Sequence, residues 1–462
     1  MRAFQRLRLA LNQSASSTRF SSQRASVSAT ASVSASLAAV PVVMASSYYS
    51  TSVTKPQLGA DAVPEDAASH HVKKKNGTTA SFRNPYPSAG TMFRAWPFFK
   101  AMFAAQMDGD LRTPDTTFPT VAVRKPDFLP TRWSSPQLRA TWLGHACYYV
   151  EYPSGLRVLY DPVMEHRCSP FSWLGPQRYT PRPCDIADLP FVDAVVISHS
   201  HYDHLSHPTV QEIASRYPDA HFFVGLGLEK WFRSAGIDKV TELDWWETTD
   251  MTLTPRAHED GGKLDNGSAR STAGETISAR ISCLPAQHSS ARGLTDRDTT
   301  LWCSWAVTSS SSSNPEPRSV WFGGDTGYRA VPRIERPKAE DGSALPADPA
   351  ADWEAPYDNL PVCPQFEQIG KLRGPFDLGL IPIGAYGPRH LFSHMHANPY
   401  DAVEIFRDTR CRRAMGIHWG TWVLTSEDVL EPPRLLKAAL KRRGLEEMGV
   451  FDVCEIGESR EF

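Results

Sequence analysis

Residues 193–206, D-A-V-V-I-S-H-S-H-Y-D-H-L-S, are the stretch that decides the fold. The apolar run 194–198 predicts a short buried strand that at once releases His199, His201, Asp203 and His204 into a loop. Imidazoles and carboxylates are costly to bury unpaired, so four such side chains in so short a span are poor packing material. The spacing suits metal instead. Alternation lets His199 and His201 point to one side, while Asp203 and His204 turn toward a second point. Two metal centres a few ångströms apart, with imidazole nitrogens and carboxylate oxygens as ligands, fit that pattern.

Two centres need further ligands, and the candidates stand at similar places. His288 follows the apolar run 276–285, Asp325 follows 320–323 within Gly324-Asp325-Thr326-Gly327, and His418 ends the run 414–418. Each lies at the C-terminal end of an expected strand, where open α/β sheets place their sites. Taken alone, each is weak; their recurrence beside the tetrad gives them weight.

The body of the chain repeats that theme. Strands are expected at 140–143, 147–152, 157–160, 194–198, 221–224, 276–285, 301–308, 320–323, 378–383 and 414–418, bounded by Gly, Pro and Asp. Helices are expected at 209–217 behind Pro208, at 228–234 before Gly236, at 400–413 behind Asn398-Pro399, and at 432–443 before Gly444. Hairpin-linked strands followed by strand–helix alternation imply an α/β sandwich of two mixed sheets flanked by helices. Three polar stretches, 256–275, 309–318 and 329–361, read as surface insertions, because a surface loop lengthens cheaply.

Composition narrows the classes further. The 462 residues carry a formal net charge of −2, which excludes a broadly basic nucleic-acid binder. The eight cysteines include no C-x-x-C pair and read as reduced core residues. No apolar run reaches the roughly 18–20 residues of a spanning helix, so a polytopic transporter is excluded.

The first 60 residues hold six basic residues and no acid; the first acid is Asp61. Rich in Ser and Ala and acid-free, with an opening M-R-A-F-Q-R-L-R-L-A-L, they carry the pattern of a mitochondrial transit peptide in a disordered leader. Residues 61–124 are expected to form a linker and a membrane-proximal segment, and 125–462 the catalytic domain. Within the linker, residues 92–107, M-F-R-A-W-P-F-F-K-A-M-F-A-A-Q-M, are too short to span a bilayer. They suit either a membrane interface or a helix packed on the core.

The tetrad, the later histidine, Gly-Asp-Thr-Gly and the final histidine together resemble the metallo-β-lactamase superfamily. The resemblance narrows to N-acylphosphatidylethanolamine-hydrolysing phospholipase D, of mitochondrial type, through T-W-L-G-H-A (141–146), H-S-H-Y-D-H-L (199–205), E-L-D-W-W-E (242–247) and F-G-G-D-T-G-Y (322–328). F-D-L (376–378), I-P-I-G-A-Y (381–386), I-H-W-G-T (417–421) and G-E-S-R (457–460) carry it further, over about 82–462. It implies an αββα metallo-β-lactamase sandwich with two zinc ions per chain. One zinc is held by His199, His201 and His288, and the other by Asp203, His204 and His418, with Asp325 bridging both. Asp203 and Asp325 are the catalytic carboxylates around a metal-bridging hydroxide, because zinc lowers the pKa of water to near 7.

The implied reaction cleaves N-acylphosphatidylethanolamines to N-acylethanolamines and phosphatidic acid. A phospholipid substrate implies a peripheral membrane enzyme, here in the mitochondrion, without nucleic acid as a partner; a homodimer is left open. Tyr202, inside the tetrad, offers a hydroxyl to a phosphate oxygen. His396, in S-H-M-H (393–396), matches a family position that contacts the substrate head. His145 is expected to orient the site rather than to bind metal. The rival reading is a lactonase or phosphodiesterase of the same fold acting on a small soluble substrate.

Overall fold

Strand character divides the chain. Thr248–Pro255 alternates half-buried and buried residues, as a hairpin strand with one covered face does. Ala194–Val196 is buried throughout, as a parallel strand covered on both faces is. The computed structural model describes residues 49–56, 63–91, 95–133, 135–256, 275–335, 340 and 348–462. Among these residues, two mixed sheets form. The eight-stranded sheet runs in space Tyr49–Thr54, Thr248–Pro255, Ile277–Leu284, Ser304–Ser311, Arg318–Phe322, Phe376–Pro382, Cys411–Ile417 and Phe451–Asp452. It is antiparallel as far as Arg318–Phe322 and parallel beyond it. The seven-stranded sheet runs Ser459–Glu461, Arg139–Gly144, Cys147–Glu151, Arg157–Tyr160, Ala194–Val196, His221–Gly225 and Val240–Leu243, with its last four strands parallel.

One continuous core lies between the sheets. Trp142, Tyr148 and Tyr160 from one sheet meet Trp305, Trp321 and Phe322 from the other. On the outer face of the seven-stranded sheet, Tyr149, Leu159, Val195 and Phe222 pack under Val210 and Ile213 of helix His207–Arg216 and Phe232 of helix Glu229–Ser234. Helices Gln365–Leu372, Pro399–Asp408 and Glu431–Arg442 supply Phe366, Ile369, Val403 and Leu440 on the other side. The result is the expected αββα sandwich. The helix after the tetrad starts abruptly because Ser206 Oγ accepts from Thr209 N at 3.3 Å and Pro208 occupies its first turn.

Several expectations change. Tyr49–Thr54, expected within the disordered leader, pairs antiparallel with Thr248–Pro255 as an edge strand. The sheet therefore takes a strand from well before the expected domain start at 125. Its alternation, buried Tyr49 against exposed Ser50, is short and Ser/Thr-rich, which composition alone reads as leader. Residues 309–311, expected within a surface insertion, continue the strand Ser304–Ser311, because Ser309 and Ser311 turn inward and are buried. The helix expected at 400–413 ends at Asp408, since Cys411 already opens a strand. The insertion expected at 256–275 lies almost wholly outside the described residues, as does the leader before Tyr49.

Residues 92–94 also fall outside them, and Ala95–Met107 is a helix. It packs Phe98 against Phe392 (ring centroids 6.3 Å apart) while Trp96, Phe99, Phe103 and Met107 are 67–79% exposed. No described helix is long and apolar enough to cross a membrane.

Candidate metal centre

Six loops that leave strands at their C-terminal ends meet at one edge of the sandwich. They carry His145, Asp161, the tetrad, His288, Asp325 and His418. His145, Asp161 and His418 all hold positive φ, at 52°, 38° and 65°, a strained conformation for residues other than glycine. Gly324 has φ 56°, and a Cβ there would stand 2.5 Å from Ser198 Cβ. Only glycine lets the Asp325 loop come that close to the strand end that delivers His199.

The ligand-type atoms fall into two groups. In the first, His201 Nδ1 lies 2.9 Å from His199 Nε2 and 3.2 Å from His288 Nε2. In the second, Asp203 Oδ2 lies 3.0 Å from His145 Nε2, 3.4 Å from His204 Nε2 and 3.5 Å from His418 Nε2. Asp325 stands between them and turns one oxygen toward each. Its Oδ1 is 2.9 Å from His418 Nε2 and 3.2 Å from His204 Nε2, and its Oδ2 is 3.5 Å from His288 Nε2 and 3.8 Å from His199 Nε2. The seven side chains named from the sequence thus converge, with His145 joining the second group and His396 standing beside Asp325 and His288.

The donor set suits a cation better than hydrogen bonding. His204 Nε2, His418 Nε2 and Asp325 Oδ1 are buried and make no hydrogen bond, although they approach one another closely. Burial, with His204, His288 and His201 nearby, holds His199 well below the ordinary imidazole range, and burial takes His288 down to about 3. Against the pull of burial, Asp325 and Asp203 raise His204 well above that range and His418 to about 9. Burial likewise opposes ionisation of Asp203 and Asp325, yet the surrounding histidines, His204 foremost, hold both carboxyls well below their ordinary range.

Outer partners orient these groups. Asp161 Oδ2 accepts from His204 Nδ1 at 2.6 Å and from Ser198 Oγ at 2.5 Å, and Ser198 N donates to Asp161 Oδ1 at 2.7 Å. The Met395 carbonyl accepts from His288 Nδ1 at 2.9 Å. Such partners fix the tautomer and direction of a ligating histidine. Sequence reasoning missed Asp161, which stands at the end of the strand Arg157–Tyr160, the same position that singled out Asp325. It also missed Arg292, whose Nη1 donates to the carbonyls of Ser200 and Leu205, each at 2.8 Å, and so ties both ends of the tetrad loop.

Of the two residues expected to meet substrate, Tyr202 is placed otherwise. Its hydroxyl donates to the Arg292 carbonyl at 3.1 Å, and its ring lies under the Arg292 guanidinium at 4.0 Å. The polar tip expected to reach a phosphate is thus already engaged in holding the loop. His396 lies beside the bridge, its Nδ1 3.9 Å from Asp325 Oδ2 and its ring 5.1 Å from His288 and 5.2 Å from His418. His145, expected to orient the site, donates from Nε2 to Asp203 Oδ2 and stands among the ligand-type atoms of the second group with Asp203, His204 and His418, while the Thr421 hydroxyl accepts from its backbone N–H at 2.7 Å.

The Beta-lactamase superfamily domain matches residues 156–341 and 360–419. An N-acyl-phosphatidylethanolamine-hydrolyzing phospholipase D of Caenorhabditis elegans is 36% identical over 358 residues, 76% of this chain and 82% of its own length. The chain belongs to that phospholipase D family. It is a metal-dependent phosphodiester hydrolase. A mitochondrial N-acyl-phosphatidylethanolamine-hydrolyzing phospholipase D of Saccharomyces cerevisiae is 31% identical over 64% of this chain, which matches half the yeast protein's length. Among solved structures, the metallo hydrolase Igni18 of Ignicoccus hospitalis is 19% identical, with a TM-score of 0.40 over 71% of this chain and 98% of its own.

Proposed function

We propose that this chain is a dizinc phospholipase D that hydrolyses N-acylphosphatidylethanolamines to N-acylethanolamines and phosphatidic acid. The observation that carries the reading is Asp325, one carboxylate with an oxygen turned to each of two ligand groups, in a chain related to enzymes named for that reaction. His199, His201 and His288 would hold one ion, and Asp203, His204 and His418 the other, with Asp325 between them. Nitrogen and carboxylate ligands in threes suit zinc. Zinc bound there supplies Lewis-acid charge and lowers the pKa of water, so that a nucleophile is available at neutral pH.

The chain's own residues do the rest. Asp325 ties the two ligand groups together, Asp203 supplies the second group's own carboxylate, and Asp161 keeps His204 in one tautomer. His396, beside the bridge and partly exposed, is placed to meet the phosphate or the head group. The aromatic stripe of helix Ala95–Met107 offers an apolar face to a bilayer, with Lys100 exposed among it. The acid-free leader, together with the yeast relative's printed location, supports a mitochondrial site of action, and residues 1–48 as the leader.

The test is release of N-acylethanolamine from vesicles by the purified full chain, with metal content by mass spectrometry and Asp325→Asn as control. Metal-dependent release, lost in the variant, supports the reading. Bound metal without release overturns the lipid assignment and turns the search to soluble phosphodiesters and lactones.

A further inference from the structure

The family match stops at residue 341 and resumes at 360, within the stretch that the sequence marks as a surface insertion. Asp352 lies in that gap, yet it is buried. Its Oδ2 accepts from Arg389 Nε at 2.8 Å, and Arg389 Nη2 lies 2.7 Å from both Asp352 Oδ2 and Asp401 Oδ2. Arg329, fully buried, donates from Nε to Asp401 Oδ1 at 3.3 Å, from Nη2 to the Asp352 carbonyl at 2.6 Å and from Nη1 to the Tyr357 carbonyl at 3.1 Å. The Trp353 ring covers its guanidinium at 3.5 Å. Two arginines and two aspartates thus form a neutral buried cluster. Such clusters are costly unless complete, and here the gap in the family match supplies one of the four charges.

The cluster adjoins the segments that carry Asp325 and His396. Arg329 lies four residues beyond Asp325 on the same loop. Arg389 opens the helical turn Arg389–Phe392, which leads directly into residues 393–398. Asp401 closes the capping box with Asn398 that starts helix Pro399–Asp408. Between those anchors, Ser393 Oγ accepts from Val331 N at 2.8 Å and Ala397 N donates to the Thr326 carbonyl at 2.7 Å. The held segment carries the Met395 carbonyl, which accepts from His288 Nδ1, and His396.

We propose that Asp352, supplied by the insertion, is a positioning residue for hydrolysis. Through Arg389 and Arg329 it sets the segment 393–398, and with it His396 and the carbonyl that orients His288. The kinetic part of this inference rests on the roles given to His396 and His288 under the proposed function; the structural part does not. Residues 352–353 are thus a clamp on the segment 393–398 rather than part of a passenger loop.

Asp352→Asn alone leaves an unpaired buried arginine and risks unfolding, so the decisive variant is Asp352→Asn with Arg389→Gln, which restores neutrality. Asp352→Glu, keeping the charge, is the conservative rescue. Glu354→Gln, which alters a partly exposed ion pair with Arg442 on the same insertion, is the control. Peptide-level hydrogen exchange, melting temperature, metal content and kinetics on N-acylphosphatidylethanolamine vesicles and on bis(4-nitrophenyl) phosphate are measured on the full chain. The double variant is expected to stay folded and metal-loaded, with faster exchange confined to about 389–401. Its KM for the lipid should rise about tenfold while kcat falls less than about threefold. Asp352→Glu and Glu354→Gln should stay near wild type. Unchanged exchange across 389–401, or altered exchange with unchanged lipid kinetics, overturns the clamp. A wild-type chain inactive on the lipid overturns the proposed function instead, and the exchange data still decide the clamp.

Discussion

The two ligand groups are built from different chemistry, although they share an edge of the sandwich and one carboxylate. The group of His199, His201 and His288 is imidazole only, and its outer supports are a serine hydroxyl on His199 and the Met395 carbonyl on His288. The group around His204 and His418 contains Asp203, and the buried Asp161 stands behind it. A carboxylate ligand adds negative charge to its own side, and a second carboxylate behind a ligating histidine raises that ligand's basicity. One group thus offers only neutral-type nitrogen ligands and the other adds a carboxylate of its own, with Asp325 as the element common to both. The carboxylate-backed site should therefore be the tighter one.

The strongest way to break this comparison is at the shared residue. Asp325→Asn should lower hydrolysis about a thousandfold or more, and metal analysis should show loss at both sites rather than one. Next come the single-site variants. His201→Ala and Asp203→Ala should each cost about one ion per chain, and chelator titration of the wild type should strip the imidazole-only site first. Asp161→Asn should weaken metal binding about 10- to 100-fold at the carboxylate-backed site and less at the imidazole-only site, which Asp161 reaches only through Ser198, as read by competition with a chromogenic chelator. Removal of the edge strand Tyr49–Thr54 sharpens the comparison from outside. A chain starting at residue 61 should lose about 2 kcal/mol of stability against one starting at 45, in denaturant melts, with both sites still loaded. The smallest effect belongs to Tyr202→Phe. Loss of one hydrogen bond to the Arg292 carbonyl should cost about 1 kcal/mol of stability and leave KM for the substrate unchanged.

Much of this was legible in the chain because metal ligands obey local rules. The H-x-H-x-D-H spacing and the habit of placing ligands at strand ends bring His288, Asp325 and His418 to the tetrad without any knowledge of the sheet order. What escaped depends on distant partners. Asp161 looks like any strand-end aspartate until Ser198 and His204 close on it. Tyr202 looks like a phosphate ligand until Arg292, ninety residues away, takes its hydroxyl. The strand Tyr49–Thr54 is too polar to announce itself, since an edge strand needs only one inward face. Asp352 is hidden within a stretch whose composition is that of a solvated loop, and only its arginine partners draw it inside.

The most direct test of the account is an anomalous difference map from crystals of the zinc-loaded full chain, collected at the zinc absorption edge. Two peaks are expected, one among His199, His201 and His288 and one among Asp203, His204 and His418, with a separate oxygen of Asp325 contacting each. A single peak, or two peaks with Asp325 bound to only one, would contradict it.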